Sequence, residues 1–247
     1  MTVTAPAAKP RTKGGVLAAA KLAFATVGTR GRLIASVGGV LFFVALALIL
    51  QTSADLAKAE AREIAVASFF LLLLPLMCVS NASIAFGNAV QDNTLVYIWL
   101  RPIARWKLAV AHVAATVASL LPMIIALSLS IFLFGSSVKY VGSVAMASVM
   151  TAVGYSGPVV ALGARFKRAS MIAITYVILV ESILGGLAAV GRFSIRNYGV
   201  ALFVHASGEK LDLSVTPGAL TSVLVLVGAC AAGIALTTWF LKRADVA

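Results

Sequence analysis

The segment Leu108-Ala-Val-Ala-His112-Val-Ala-Ala-Thr116-Val-Ala-Ser119-Leu-Leu-Pro122-Met-Ile-Ile-Ala-Leu-Ser128-Leu-Ser130-Ile-Phe-Leu-Phe134 holds no lysine, arginine or acidic residue in 27 positions. A helix needs about 20 such residues to cross a hydrocarbon core of roughly 30 Å. The run is continuously apolar, whereas a barrel strand shows ~10 residues of alternating character. Helices satisfy their own backbone hydrogen bonds, the condition that hydrocarbon imposes, so the segment reads as a transmembrane helix. Five further runs read the same way: Leu33–Leu50, Ile64–Phe86, Val141–Leu162, Met171–Val190 and Ala219–Leu241. The predicted fold class is all-α, a polytopic membrane protein with six transmembrane helices. Composition agrees, at 61% hydrophobic, 11% charged and a mean hydropathy of +1.04. That is more apolar matter than a soluble core of this size can hide. Intrinsic disorder, collagen and a disulfide scaffold are excluded by the same figures.

An even number of spans puts both termini on one side. That side carries Lys9, Arg11, Lys13, Lys21, Arg30, Arg32, Arg101, Arg105, Lys107, Arg165, Lys167, Arg168, Lys242 and Arg243, against the acids Asp92 and Asp245. The opposite side carries Lys58, Arg62, Lys139, Arg192, Arg196 and Lys210, nearly balanced by Asp55, Glu60, Glu63, Glu209 and Asp212. Lys and Arg concentrate on the cytoplasmic face, so a multi-pass chain in the cell membrane with cytoplasmic N- and C-termini is expected. The net charge of +12 is then topological, spread over helix ends, and a nucleic-acid partner is not expected. Residues 1–14, rich in Ala, Pro, Lys and Thr, read as a disordered cytosolic tail, and 15–247 as one transmembrane domain. Val16–Val27 reads as an interfacial helix with Leu17, Ala20, Phe24 and Val27 toward lipid and Lys21 snorkelling to the headgroups.

The connection after the second span is more than a turn. It runs Gly87-Asn-Ala-Val-Gln-Asp92-Asn93-Thr94-Leu95-Val-Tyr97-Ile-Trp99-Leu100-Arg101-Pro102-Ile103-Ala104-Arg105-Trp-Lys107. Asp92, Asn93 or Thr94 can cap a short helix with Leu95, Ile98 and Trp99 on one side. Pro102 stops it and turns the chain back toward the membrane. A loop that only anchors to headgroups needs no acid, cap and proline-ended amphipathic turn in series, so this segment reads as a handle for a partner.

These residues resemble the corresponding connection of the six-span ABC-type export permeases. Asp92, Thr94-Leu95, Arg101-Pro102-Ile103 and Arg105 match that family's acidic residue, Thr-Leu and Arg-Pro-Ile-x-Arg. Asn93 stands for the usual Gly, Ala104 for the usual Ser, and Ala111-His112 where Gly-Lys often follows. Trp239-Phe240-Leu241-Lys242-Arg243-Ala244-Asp245 looks like the family's ending. The resemblance implies the permease subunit of an ATP-driven exporter, with the connection as a coupling helix seated in a separate ATPase subunit. Asp92, Thr94, Leu95, Tyr97, Trp99, Arg101 and Arg105 are then the candidate ATPase contacts. It further implies an elbow helix before the first span and a second permease chain, identical or homologous. It also implies a small re-entrant element within Gly191–Gly218, where Tyr198–Val204 is too short to cross. Membrane lipid is the remaining partner.

No Gly-x-x-x-x-Gly-Lys-Ser/Thr occurs in the chain; Gly186 to Gly191 has the nearest spacing but is followed by Arg192-Phe193. The chain is therefore not expected to be an enzyme or to hold a cofactor. ATP and magnesium belong to the partner.

Glu181 lies about halfway along the fifth span, where a charge costs roughly 2.5–3.5 kcal/mol on insertion scales. It reads either as a residue of a substrate path or gate, or as a carboxyl hydrogen-bonded to a neighbouring helix. Ser80, Asn81 and Ser83 cluster in the second span. In the resembled family the second and fifth spans line the translocation path, which implies Asn81 and Glu181 as its residues here. Pro75, Pro122 and Pro158 interrupt helix bonds within spans, while Gly38-Gly39 and Gly228 with Ala232 read as small-residue contacts. His112 and His205 read as an interface and a loop histidine, without metal partners at ligand spacing. Cys78 and Cys230 read as buried thiols.

Two other function classes remain. Gly154-Tyr155-Ser156-Gly157 resembles the Gly-x-Ser-Gly nucleophile motif of rhomboid intramembrane proteases, with Ser156 as nucleophile. Those enzymes carry their general base on the sixth span, and Ala219–Leu241 holds no histidine. A non-transporting scaffold or assembly factor is the third class.

The expected orientation has a direct check. A cysteine replacing Trp99, in a chain lacking Cys78 and Cys230, should resist an impermeant maleimide on intact cells and react in inside-out vesicles. Reaction from the medium inverts the assignment.

Overall fold

The computed structural model describes residues 20–21, 23–25, 34, 37–42, 45, 49, 52, 58–91, 103–133, 135–183, 191–208 and 217–243. Among these the regular structure is entirely helical, with no strand. The helices are α1 (Lys58–Ser68), a π-helical turn (Phe69–Leu73), α2 (Leu74–Gln91), α3 (Arg105–Leu133) and α4 (Val138–Arg165). There follow α5 (Ala169–Thr175), a π-helical stretch (Tyr176–Ile183), α6 (Ile195–Ser207) and α7 (Ala219–Arg243). Among the described residues four helices are long and apolar enough to cross a membrane: Glu63–Ser83, Arg105–Leu133, Val138–Arg165 and Ala219–Arg243. The protein is therefore an all-helical, membrane-embedded, multi-pass chain. Ala169–Glu181 forms a shorter apolar helix where the fifth span is expected, and Leu184–Val190 lie outside the described residues. The described residues of the first expected span, 34, 37–42, 45 and 49, are helical. The tail 1–14, most of Val16–Val27, and Asp92–Pro102 also lie outside the described residues.

α4 is the centre of the bundle, in contact with α2, α3, α6 and α7. Glycines permit this. A Cβ on Gly157 would stand 2.6 Å from both the Cα and the carbonyl oxygen of Cys230, and one on Gly154 would stand 2.6 Å from Leu226. A Cβ on Gly163 would approach the Ser83 carbonyl oxygen to 2.8 Å. Gly233 presses against the Gly157 carbonyl from α7, and Gly199 of α6 against Thr151. At Gly157, Gly163 and Gly233 the neighbour is backbone, which leaves no room for any side chain. Among the described residues Gly228, expected with Ala232 to be a contact, meets nothing within 4 Å, and Gly233, on another face of α7, makes the close approach.

Polar residues on the buried face of α4 are satisfied locally. The hydroxyls of Ser143, Ser148, Thr151 and Ser156 donate to the carbonyls of Tyr140, Val144, Ala147 and Ala152 at 2.8, 2.7, 2.7 and 2.6 Å. Pro122 and Pro158 sit inside α3 and α4. Pro75 acts more visibly. It has no N–H for the Leu71 carbonyl and its ring crowds that carbonyl. The turn before it widens, and the Leu74 N–H reaches the Phe69 carbonyl five residues back. The outer faces are apolar, as a hydrocarbon solvent requires: Ile125, Leu129 and Phe132 on α3 and Leu220, Leu224 and Val227 on α7 are exposed stripes at helical spacing.

Four contacts orient the helices. Gly154 and Gly157 against Leu226 and Cys230 make α7 parallel to α4, and Gly163 against Ser83 sets the C-terminal part of α4 beside that of α2. Phe86 stacks on His112 at 4.2 Å between ring centroids, so α3 begins where α2 ends. Arg105, Lys107, Arg165, Lys167, Arg168, Lys242 and Arg243 therefore share one end of the bundle. At that end Arg243 lies over the Trp239 ring at 4.0 Å, Lys107 near Trp106 at 5.6 Å and Arg165 near Phe166 at 5.8 Å. Exposed aromatic rings beneath cations form the belt expected where a bundle meets headgroups.

Gly157→Ala should destabilise the protein by about 1–3 kcal/mol, because the added methyl meets backbone that cannot yield. Gly142→Ala, where a Cβ meets nothing within 4 Å, should be neutral or slightly stabilising. Thermal unfolding in one detergent compares the two.

Candidate functional site

Glu181 is fully buried within the π-helical stretch Tyr176–Ile183. Its carboxylate accepts a hydrogen bond from the Tyr155 hydroxyl of α4. The backbone N–H of Arg196 stands 3.5 Å from its other oxygen. Tyr176, one turn earlier on the same segment, is a further neighbour of the carboxyl and donates its hydroxyl to the Phe193 carbonyl at 3.1 Å.

The start of α6 shapes the rest. Ser194 is the N-cap, with its hydroxyl accepting from the Asn197 N–H at 3.4 Å. Arg196 is then the second residue of the helix, and its N–H is one of the four that an α-helix leaves without an internal acceptor. A carboxylate there meets both an open donor and the positive end of the helix dipole. Asn197 is buried and fixes the turn by donating Nδ2 to the Gly191 carbonyl at 3.1 Å. The Arg196 guanidinium turns back, with Nη2 3.5 Å from Asn197 Oδ1, and among the described residues its buried Nη1 has no hydrogen-bond partner. Glu181 thus ties the fifth segment to α4 and α6, with the Arg196 guanidinium near the tie.

α6 is itself firmly seated. Phe203 packs on Phe70 at 6.1 Å and edge-on to Tyr140 at 5.3 Å. The helix ends at Gly208, whose φ of 82° suits glycine and whose N–H returns to the Val204 carbonyl at 2.9 Å. Its 13 residues span roughly 20 Å, too short to cross, as expected for Tyr198–Val204.

The structure separates the other candidates. Asn81 is buried on α2, but the hydrogen bonds of the Glu181 carboxylate go to Tyr155 and Arg196. Ser80 is exposed while Asn81 and Ser83 are buried, so that trio is not one patch. Arg105 opens α3 at the basic end of the bundle. Asp92, Thr94, Leu95, Tyr97, Trp99 and Arg101 lie outside the described residues. Ser156 is buried with its hydroxyl on the Ala152 carbonyl. His112 is a core residue, fully buried with Nδ1 on the Leu108 carbonyl at 2.9 Å, because Phe86 covers it. His205 belongs to the last turn of α6 and bridges to the Pro217 carbonyl at 3.0 Å. These replace the interface and loop readings. Among the described residues no three or more of His, Cys, Asp and Glu gather to hold a metal ion.

Sequence reasoning missed Tyr155, Tyr176 and the start of α6. A phenol inside an apolar run was the available signal, since a buried hydroxyl requires a partner. No protein-family model matches the chain, and no curated protein matches it.

Tyr155→Phe leaves the buried Glu181 oxygen short of a donor and should cost about 1–3 kcal/mol. Tyr198→Phe, which removes an exposed bond to the Arg192 carbonyl, should cost less in the same thermal melt.

Proposed function

We propose that the chain is the membrane-spanning permease subunit of an ATP-driven ABC exporter, coupling hydrolysis by a separate ATPase subunit to export. The observation that carries this reading is the stretch between Gln91 and Arg105. It joins the ends of two packed helices at the basic end of the bundle, and its Asp92, Thr94-Leu95 and Arg101-Pro102-Ile103-x-Arg105 resemble a coupling helix. Positive charge at that end supports a cytosolic position for it and for both termini, in the cell membrane.

Two such chains, identical or homologous, would enclose a path between their second and fifth spans. Both π-helical segments among the described residues fall in these two spans, and such segments concentrate at functional sites. ATP binding closes the partner ATPases on each other. Thr94, Leu95, Tyr97, Trp99 and Arg101 carry that movement, with the elbow, into a rocking of the spans between two packings. Glu181 and Asn81 serve the path. Glu181 couples it to α6, because any shift of the fifth segment strains its bonds to Tyr155 and Arg196. The protease reading gains no support from a Ser156 hydroxyl engaged with its own helix.

Affinity-tagged protein from native membranes should carry an ATPase with a Walker motif. Reversing charge at Arg101 and Arg105 together should lower its recovery by about tenfold or more, as like-charge contacts do at interfaces. Membrane insertion should not change. Equal recovery removes the docking role, and a wild-type chain that carries no ATPase favours a scaffold.

A further inference from the structure

A cavity of about 340 Å³ lies between α2, α4 and the fifth segment, against the start of α6. This is within the ~300–1,000 Å³ of small-ligand sites and far above the voids that close-packed interiors tolerate. Its walls are hydrocarbon: Val79 from α2, Val159 and Leu162 from α4, Ile172 and Ala173 from α5. Tyr155 and Tyr176 also line it, but both hydroxyls are committed elsewhere, to Glu181 and to the Phe193 carbonyl. The polar cluster thus closes one end of the cavity without offering it hydrogen bonds.

That arrangement selects the occupant. A buried water needs two to four polar partners, and a cavity lined only by aliphatic and aromatic carbon stays dry or takes an apolar ligand. From Tyr155 to Leu162 the wall runs about 10 Å along α4, at ~1.5 Å per residue, long enough for a segment of hydrocarbon chain. Ile172 is both a wall residue and exposed on the outside of the bundle, beside exposed Met171. Entry is therefore from the apolar side, along the fifth segment.

We propose that this cavity binds an unbranched hydrocarbon chain, inserted past Ile172 with its end beneath the Tyr155 and Tyr176 rings. Two sources share this chemistry: an acyl chain of a bilayer lipid and the tail of a free amphiphile. The site belongs to a single chain and stands independently of the exporter reading.

The test uses the purified full chain in phosphatidylcholine nanodiscs, without ATP or any partner. In one arm the disc contains phosphatidylcholine with a diazirine on its acyl chain. In the other a diazirine fatty acid is added. After irradiation, adducts are mapped by peptide mass spectrometry. Adducts are expected on Val79, Val159 and Val177, which are buried and line the cavity. Labelling by the phospholipid assigns a bilayer chain, and labelling by the fatty acid alone assigns a free amphiphile. Ala173→Phe and Val159→Phe fill the space from α5 and from α4, and each should reduce adducts at the remaining buried positions to background while leaving those on exposed Leu224 and Leu236 unchanged. Excess unlabelled palmitic acid should compete in the wild-type protein, which decides the matter if a variant fails to fold. Absence of adducts at the buried positions in both arms overturns the proposal, as do adducts undiminished by either variant and by the competitor.

Discussion

A polar group in hydrocarbon has no water to fall back on, so every donor and acceptor must find its partner within the protein. The consequence is visible at each scale of this molecule. At the backbone it produces helices and, among the described residues, no strand. On the central helix it returns four hydroxyls to carbonyls one turn back. At Pro75, where a donor is missing, it converts one turn to π geometry. At Glu181 the segment's own backbone cannot serve, because a carboxylate only accepts and helical N–H groups are already bonded, and Tyr176 of that segment is one neighbour among several. The solution is tertiary: a phenol from α4 and an unmet N–H at the start of α6.

That solution depends on how closely the helices approach. Gly157 and Gly163 let α4 lie backbone to backbone against its neighbours, Gly154 admits the Leu226 side chain, and Gly199 lets α6 press onto Thr151. Tyr155 sits between two of these glycines, so the same packing that sets the helix spacing also fixes the reach of its hydroxyl. The motif Gly154-Tyr155-Ser156-Gly157 thereby acquires a meaning different from a nucleophile turn. Its glycines make contacts, its tyrosine serves Glu181, and its serine is satisfied at home.

The amino-acid sequence by itself determined the helical class, the membrane as solvent, four of the long apolar helices to within a few residues, and the segregation of basic residues to one end. These are properties of single segments, set by length, hydropathy and charge. It also singled out Glu181, since an acid amid twenty apolar residues is conspicuous. Only the tertiary structure decided which helix is central, that Gly233 rather than Gly228 makes the contact, and that His112 is core. It alone supplied Tyr155, Tyr176 and the Arg196 N–H to the carboxylate. The physical reason is that a buried polar residue announces its need for a partner but carries no record of which one. Helices in lipid are apolar nearly all round, so periodicity does not tell the inward face from the outward, and pairing is settled by shape when backbones meet at glycine.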